Sequence, residues 1–196
     1  MEAPVRHKNP IFAFLMAVLL VGCGKKESNN SDSASAMSGS ADTVGAIAGM
    51  QKPPARDADQ EFLRMMVDHH QGMLEMADTA LKKTASSRVR SEAISMRAAQ
   101  TAEQRRMLDM LKKQYGEDKM PMPLQSDASM ITKLAGASGA AFDRQFHEQV
   151  IMHHEEATKM IDQFLPRLRN PELKQMAEKM KRDQTRQISE FRRELK

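Results

Sequence analysis

The chain of 196 residues holds one cysteine, one tyrosine and no tryptophan, and aromatic residues make up 4% of it. A lone cysteine closes no internal disulfide and builds no multi-thiolate metal cage. The fold must therefore rest on packing, helped by whatever metal other side chains can hold. No phosphate-cradling loop and no recognisable nucleophile triad can be picked out. The formal charge is only +4, with acidic and basic residues interspersed. No nucleic-acid partner is expected, and nearly all the basic residues read as solvated helix surface. From Asp57 onward no alternating strand pattern occurs. The apolar run Ile11 to Val21 is too short to span a bilayer comfortably. What is abundant is methionine, eighteen residues of it.

The N-terminus reads as a targeting segment. Arg6 and Lys8 precede the apolar run, and Leu20-Val21-Gly22-Cys23 resembles the bacterial lipobox, whose cysteine is lipidated and becomes the mature N-terminus. Residues 1–22 are thus expected to be a lipoprotein signal peptide, and Cys23 a membrane anchor and neither a ligand nor a nucleophile. Gly24, standing where an aspartate would favour inner-membrane retention, points to a periplasmic protein held at the outer membrane. Residues 23–56, rich in Ser, Ala, Asn and Gly and ending near Pro53-Pro54, read as a flexible tether.

Residues 57–196 read as the folded domain. Four stretches lack internal proline, at about 57–83, 88–114, 139–165 and 171–195, and each has helical spacing. Gly116, Pro121 and Pro123 open a longer connection between the second and third. The stretches form two copies of one hairpin at a constant offset of 84: Asp59 matches Asp143, Phe62 Phe146, His69-His70 His153-His154, Met76 Met160, Met96 Met180 and Leu111 Leu195. One offset without a gap through two helices indicates internal duplication. The expected fold is all-α, a four-helix bundle of two duplicated hairpins about a pseudo-two-fold axis.

On the first helix Phe62, Met65, Met66, His69, Met73, Met76 and Ala80 share one stripe, with His70 on its flank. On the third, Phe146, Gln149, Val150, His153, Ala157, Met160 and Phe164 do the same, flanked by His154, with His147 two turns earlier. The second and fourth helices carry Gln100 and Gln184 in their apolar stripes. A methionine stripe is usually core filler, and a lone histidine in it is usually a satisfied core residue. Doubled and duplicated His pairs shift the balance to a metal site, because buried polar groups need partners. Thioether and imidazole together suit Cu(I), and by the same softness Ag(I). Zinc could use the histidines but leaves the methionines unexplained. The Glu-x-x-His motif of di-iron bundles is absent: Met66 and Val150 stand where its glutamates would be.

The pattern Met66-x-x-His69-His70-x-x-Met73-x-x-Met76-Ala77, with its second copy His153-His154 and Met160, resembles the DUF305 family, ferritin-like four-helix domains of bacterial extracytoplasmic proteins. Some members of that family are similar to periplasmic copper-binding proteins of copper resistance. The resemblance implies a ligand set of Met65, Met66, His69, His70, Met73 and Met76 on the first helix and Met152, His153, His154 and Met160 on the third. The second copy is poorer in methionine, so two sites and one shared site both stay open. The leading expectation is capture or buffering of Cu(I) or Ag(I), with a metal ion and the membrane as partners and no enzymatic activity. Two rivals stand beside it: a ferritin-like redox enzyme, disfavoured by the shortage of paired carboxylates, and a structural or interaction lipoprotein using basic faces such as Arg105-Arg106 and Arg192-Arg193.

Overall fold

The computed structural model describes residues 54–196; the expected signal peptide, Cys23 and the expected tether up to residue 53 lie outside the described residues. Among the described residues there are five helices and no strand: α1 (Ala58–Lys83), α2 (Ser87–Tyr115), α3 (Gln125–Gly136), α4 (Gly139–Phe164) and α5 (Pro171–Glu194). None is long and apolar enough to cross a membrane.

The four long helices are those expected from the sequence, and their ends follow local chemistry. Asp57 caps α1 by accepting from Gln60 N–H, Ser86 caps α2 through Val89 N–H, and Asn170 caps α5 through Glu172 and Leu173 N–H, with Pro171 in the first turn. Gly116 ends α2 in the left-handed region at φ 67°, which a residue without Cβ adopts at little cost. The short helix α3 is an addition: the connection between the hairpins is helical over twelve residues. Its own sequence gives little warning, since only Asp127, Met130 and Leu134 of it are buried.

The helices α1 and α2 pair as one hairpin and α4 and α5 as the other, with α1 against α4 and α3 lying across both. Two apolar clusters fill the bundle. One holds Met73, Met76, Met96, Phe142 and Phe146; the other holds Phe62, Met66, Met107, Ile161 and Met180. Matched apolar residues are split between them: Phe62 and Phe146, Met96 and Met180, Ala93 and Ala177 fall at opposite ends. An antiparallel pseudo-two-fold requires that arrangement, and it puts the midpoint of α1 and of α4 between the two clusters. The histidine pairs stand at those midpoints.

Candidate metal centre

His69, His70, His153 and His154 are all fully buried. His69 and His153 meet across the pseudo-two-fold, with ring centroids 3.7 Å apart, and His153 Nε2 donates to the His69 carbonyl at 3.0 Å. The outer pair is held by the other two helices in matching fashion. His70 Nε2 donates to Glu103 Oε2 of α2 at 3.1 Å, and His154 Nε2 donates to Gln187 Oε1 of α5 at 2.8 Å. Glu103 and Gln187 are themselves related by the offset of 84, so the duplication extends to the supporting residues.

These bonds fix the rings. An imidazole that donates through Nε2 carries its lone pair on Nδ1. Nδ1 of His70, His153 and His154 has no partner, nor has either nitrogen of His69. Gln100, Gln149 and Gln184 contribute further unpartnered amide atoms. Native interiors seldom leave such atoms alone, because each costs free energy. Five unpaired ring nitrogens in one layer, with three of the four rings tethered through the opposite nitrogen, is the orientation that metal-binding histidines take.

Burial keeps His69, His153 and His154 neutral. Burial drives His69 down to about 3, with repulsion from His70 and His154 adding to it. Burial takes His154 down to about 4 despite its bond to Gln187. Burial, together with His69 and His154, holds His153 well below its ordinary value. Neutral imidazole is the form that binds metal.

The methionines divide. Met66, Met73 and Met76 are fully buried on the stripe that carries His69, while Met65 and Met160 are half-buried at the edge of the core. Met152 is 40% exposed and lines an open hollow with Ile151 and Leu195, away from the buried layer. The structure therefore brings the four histidines together and buries Met66, Met73 and Met76 on the same helix as His69, whereas α4 adds imidazoles and little sulfur.

Asp127 of α3 was not foreseen. Its carboxyl is fully buried, accepts from Leu124 N–H at 2.8 Å, and places Oδ1 3.6 Å from His153 Nε2, near but too long for a hydrogen bond. Burial lifts its pKa to about 6, against the pull of the Leu124 bond. Gly72 makes room for it: a Cβ there would fall 2.2 Å from Asp127 Cγ. The single glycine within the α1 motif was the available signal, but what it faces depends on where α3 lies. On the opposite side a narrow groove between α2 and α5, about 160 Å³, is lined by Gln100, Glu103, Gln184 and Gln187 and leads from solvent toward the layer.

Solved structures share this architecture. CopM in its Cu(II)-bound form is 27% identical, with a TM-score of 0.61 over 70% of this chain and 95% of that one. CopM in its Cu(I)-bound form is 27% identical, with a TM-score of 0.60 over 69% and 93%. A DUF305 fragment from Deinococcus radiodurans, 24% identical, matches with a TM-score of 0.63 over 73% and 98% and shows the same fold. These structural neighbours are consistent with the DUF305 resemblance read from the sequence. No curated protein matches the chain in sequence. The family model that spans most of it, residues 45–192, is that of the "Domain of unknown function (DUF4142)", and the chain belongs to that family.

Proposed function

We propose that this protein is an extracytoplasmic binder of Cu(I), and of Ag(I) by the same chemistry, that captures or buffers the ion as cargo in copper homeostasis or resistance. The observation that carries the reading is the buried layer of four histidines whose Nδ1 atoms lack partners, three of them tethered through Nε2. Met66, Met73 and Met76 on the same stripe add soft sulfur, and three or four such ligands suffice for Cu(I). The similarity to CopM, whose structures carry Cu(I), Cu(II) and silver, supports the same choice of metal. Binding rather than catalysis fits a donor set of imidazole and thioether in a sequence without the Glu-x-x-His motif of di-iron bundles. The lipobox-like Cys23 supports attachment to the membrane surface, with the tether holding the domain clear of it.

The test is a Cu(I) titration of the full chain against a chromogenic chelator, without oxygen, on wild type and on His69→Ala/His153→Ala. Loss of a second-sphere partner alone costs a metal site about ten- to a hundredfold, so removal of both central rings should weaken binding by at least about a hundredfold. Equal affinity in a variant that keeps its helical circular dichroism would refute the reading.

A further inference from the structure

A second cluster lies toward one end of the bundle and uses none of the residues above. His147 of α4 is nearly buried, its ring stacked on Phe191 at 4.8 Å and 11°. Its Nε2 faces Glu92 Oε2 of α2 at 2.7 Å and Glu194 Oε2 of α5 at 3.5 Å. The three ligand atoms all lie within 4.8 Å of one another. Arg88 holds the other oxygens, Glu92 Oε1 at 3.1 Å and Glu194 Oε1 in a close ion pair. Both Oε2 atoms are thereby left aimed at the imidazole. The cluster opens into a groove of about 610 Å³ that Glu92 and Glu194 help to line.

The duplication supplies an internal comparison. Displaced by 84, the partners of Glu92, His147 and Glu194 are Met176, Leu63 and Met110. All three are buried members of the apolar cluster at the other end. Packing at this position is thus satisfied by apolar residues in one half of the molecule, yet the other half places two carboxylates and an imidazole there. Fold maintenance does not account for that difference.

We propose that Glu92, His147 and Glu194 form a separate site for a divalent first-row transition-metal ion, Zn(II) or Cu(II). Two carboxylates and one imidazole are borderline-to-hard donors, unlike the sulfur-bearing layer. Four-coordinate zinc with bonds of about 2.0 Å sets its ligand atoms about 3.3 Å apart, and the contacts of 2.7 and 3.5 Å bracket that spacing. Three protein ligands leave a fourth position, which water reaches through the groove. Binding takes the Nε2 lone pair of His147 with the ring proton exchanged through water to Nδ1, while Arg88, more than half exposed, keeps its grip on the outer oxygens or swings outward.

The experiment is calorimetric titration of the full chain with Zn(II), paired with electron paramagnetic resonance of the Cu(II)-loaded protein. The variants are His147→Leu, which copies the residue of the other half, Glu92→Gln, and His69→Ala/His153→Ala. Wild type should bind one Zn(II) at this site. The site should vanish in His147→Leu, weaken at least about tenfold in Glu92→Gln, and persist in His69→Ala/His153→Ala. Cu(II) there should show coupling to a single nitrogen that His147→Leu removes. Unchanged Zn(II) binding in His147→Leu would overturn the proposal, as would zinc lost only when His69 and His153 are replaced. If His147→Leu fails to fold, full-strength binding by Glu92→Gln overturns it instead.

Discussion

At the scale of the residue, the chain keeps several imidazoles in its interior that water would charge near neutrality. In the unfolded chain each titrates near 6.5; in the fold His69 does so at about 3 and His154 at about 4, with burial the main cause. The folded state therefore binds fewer protons below pH 6.5, and the stability these groups allow is present above that pH and lost as it falls. Each contributes a slope of up to about 1.4 kcal/mol per pH unit. Asp127 acts in the opposite sense: its folded pKa of about 6 lies above its ordinary 3.8, so it favours the fold as pH drops through that window. One carboxyl against His69, His153 and His154 does not cancel them. The melting temperature of the metal-free protein is expected to fall steadily from pH 6.5 to pH 4, and a flat profile would show that the rings are solvated or already paired.

At the scale of the element, the two hairpins are fastened by a matched pair of aspartates. Asp59 near the start of α1 accepts from Arg169 N–H at 2.8 Å and Asn170 N–H at 2.9 Å, pinning the α4–α5 turn. Its counterpart Asp143 near the start of α4 accepts from Thr84 Oγ1 at 2.7 Å in the α1–α2 turn. Each hairpin thus holds the turn of the other, and the bond to two backbone donors is the stronger. Asp59→Ala leaves two backbone N–H groups without acceptors and is expected to cost about 2 kcal/mol in urea unfolding. Asp143→Ala, which frees one hydroxyl, should cost less; the reverse order would mean that the turns are held by packing alone. The helix α3 belongs to this scale as well. Its docking against Gly72 sets Asp127 beside His153.

At the scale of the whole molecule, the pseudo-two-fold brings two copies of a motif into one layer. His69 and His153 rings lie 3.7 Å apart, so the proposed Cu(I) site is one shared by both copies. His69→Ala alone and His153→Ala alone should each abolish most Cu(I) binding, and the double variant should lose little more. Such non-additivity marks residues acting as a unit. Retention of half the bound metal by each single variant would show two separate sites instead. The layer is reached from the side of α2 and α5, whose contact with each other is slight, while α3 roofs the side of α1 and α4.

Much of this was legible in the residues themselves. The constant offset of 84 dictates two hairpins, and helical spacing dictates that His69 and His153 lie at the centres of their stripes, because periodicity and repetition are one-dimensional properties. The caps at Asp57, Ser86 and Asn170 and the stop at Gly116 are likewise local, decided by atoms within a few positions. Which side chains then meet is not local. That His69 and His153 face each other, that Glu103 and Gln187 hold the outer rings, that Met152 points outward, and that Asp127 and the trio of Glu92, His147 and Glu194 converge all depend on how α1, α2, α4 and α5 are set side by side and on where α3 docks. A helix stripe is about 100° wide. The sequence by itself determined the inward stripes of the four long helices, and only the packing of one helix against another, which brings together groups 26 to 102 positions apart, decided what each residue touches.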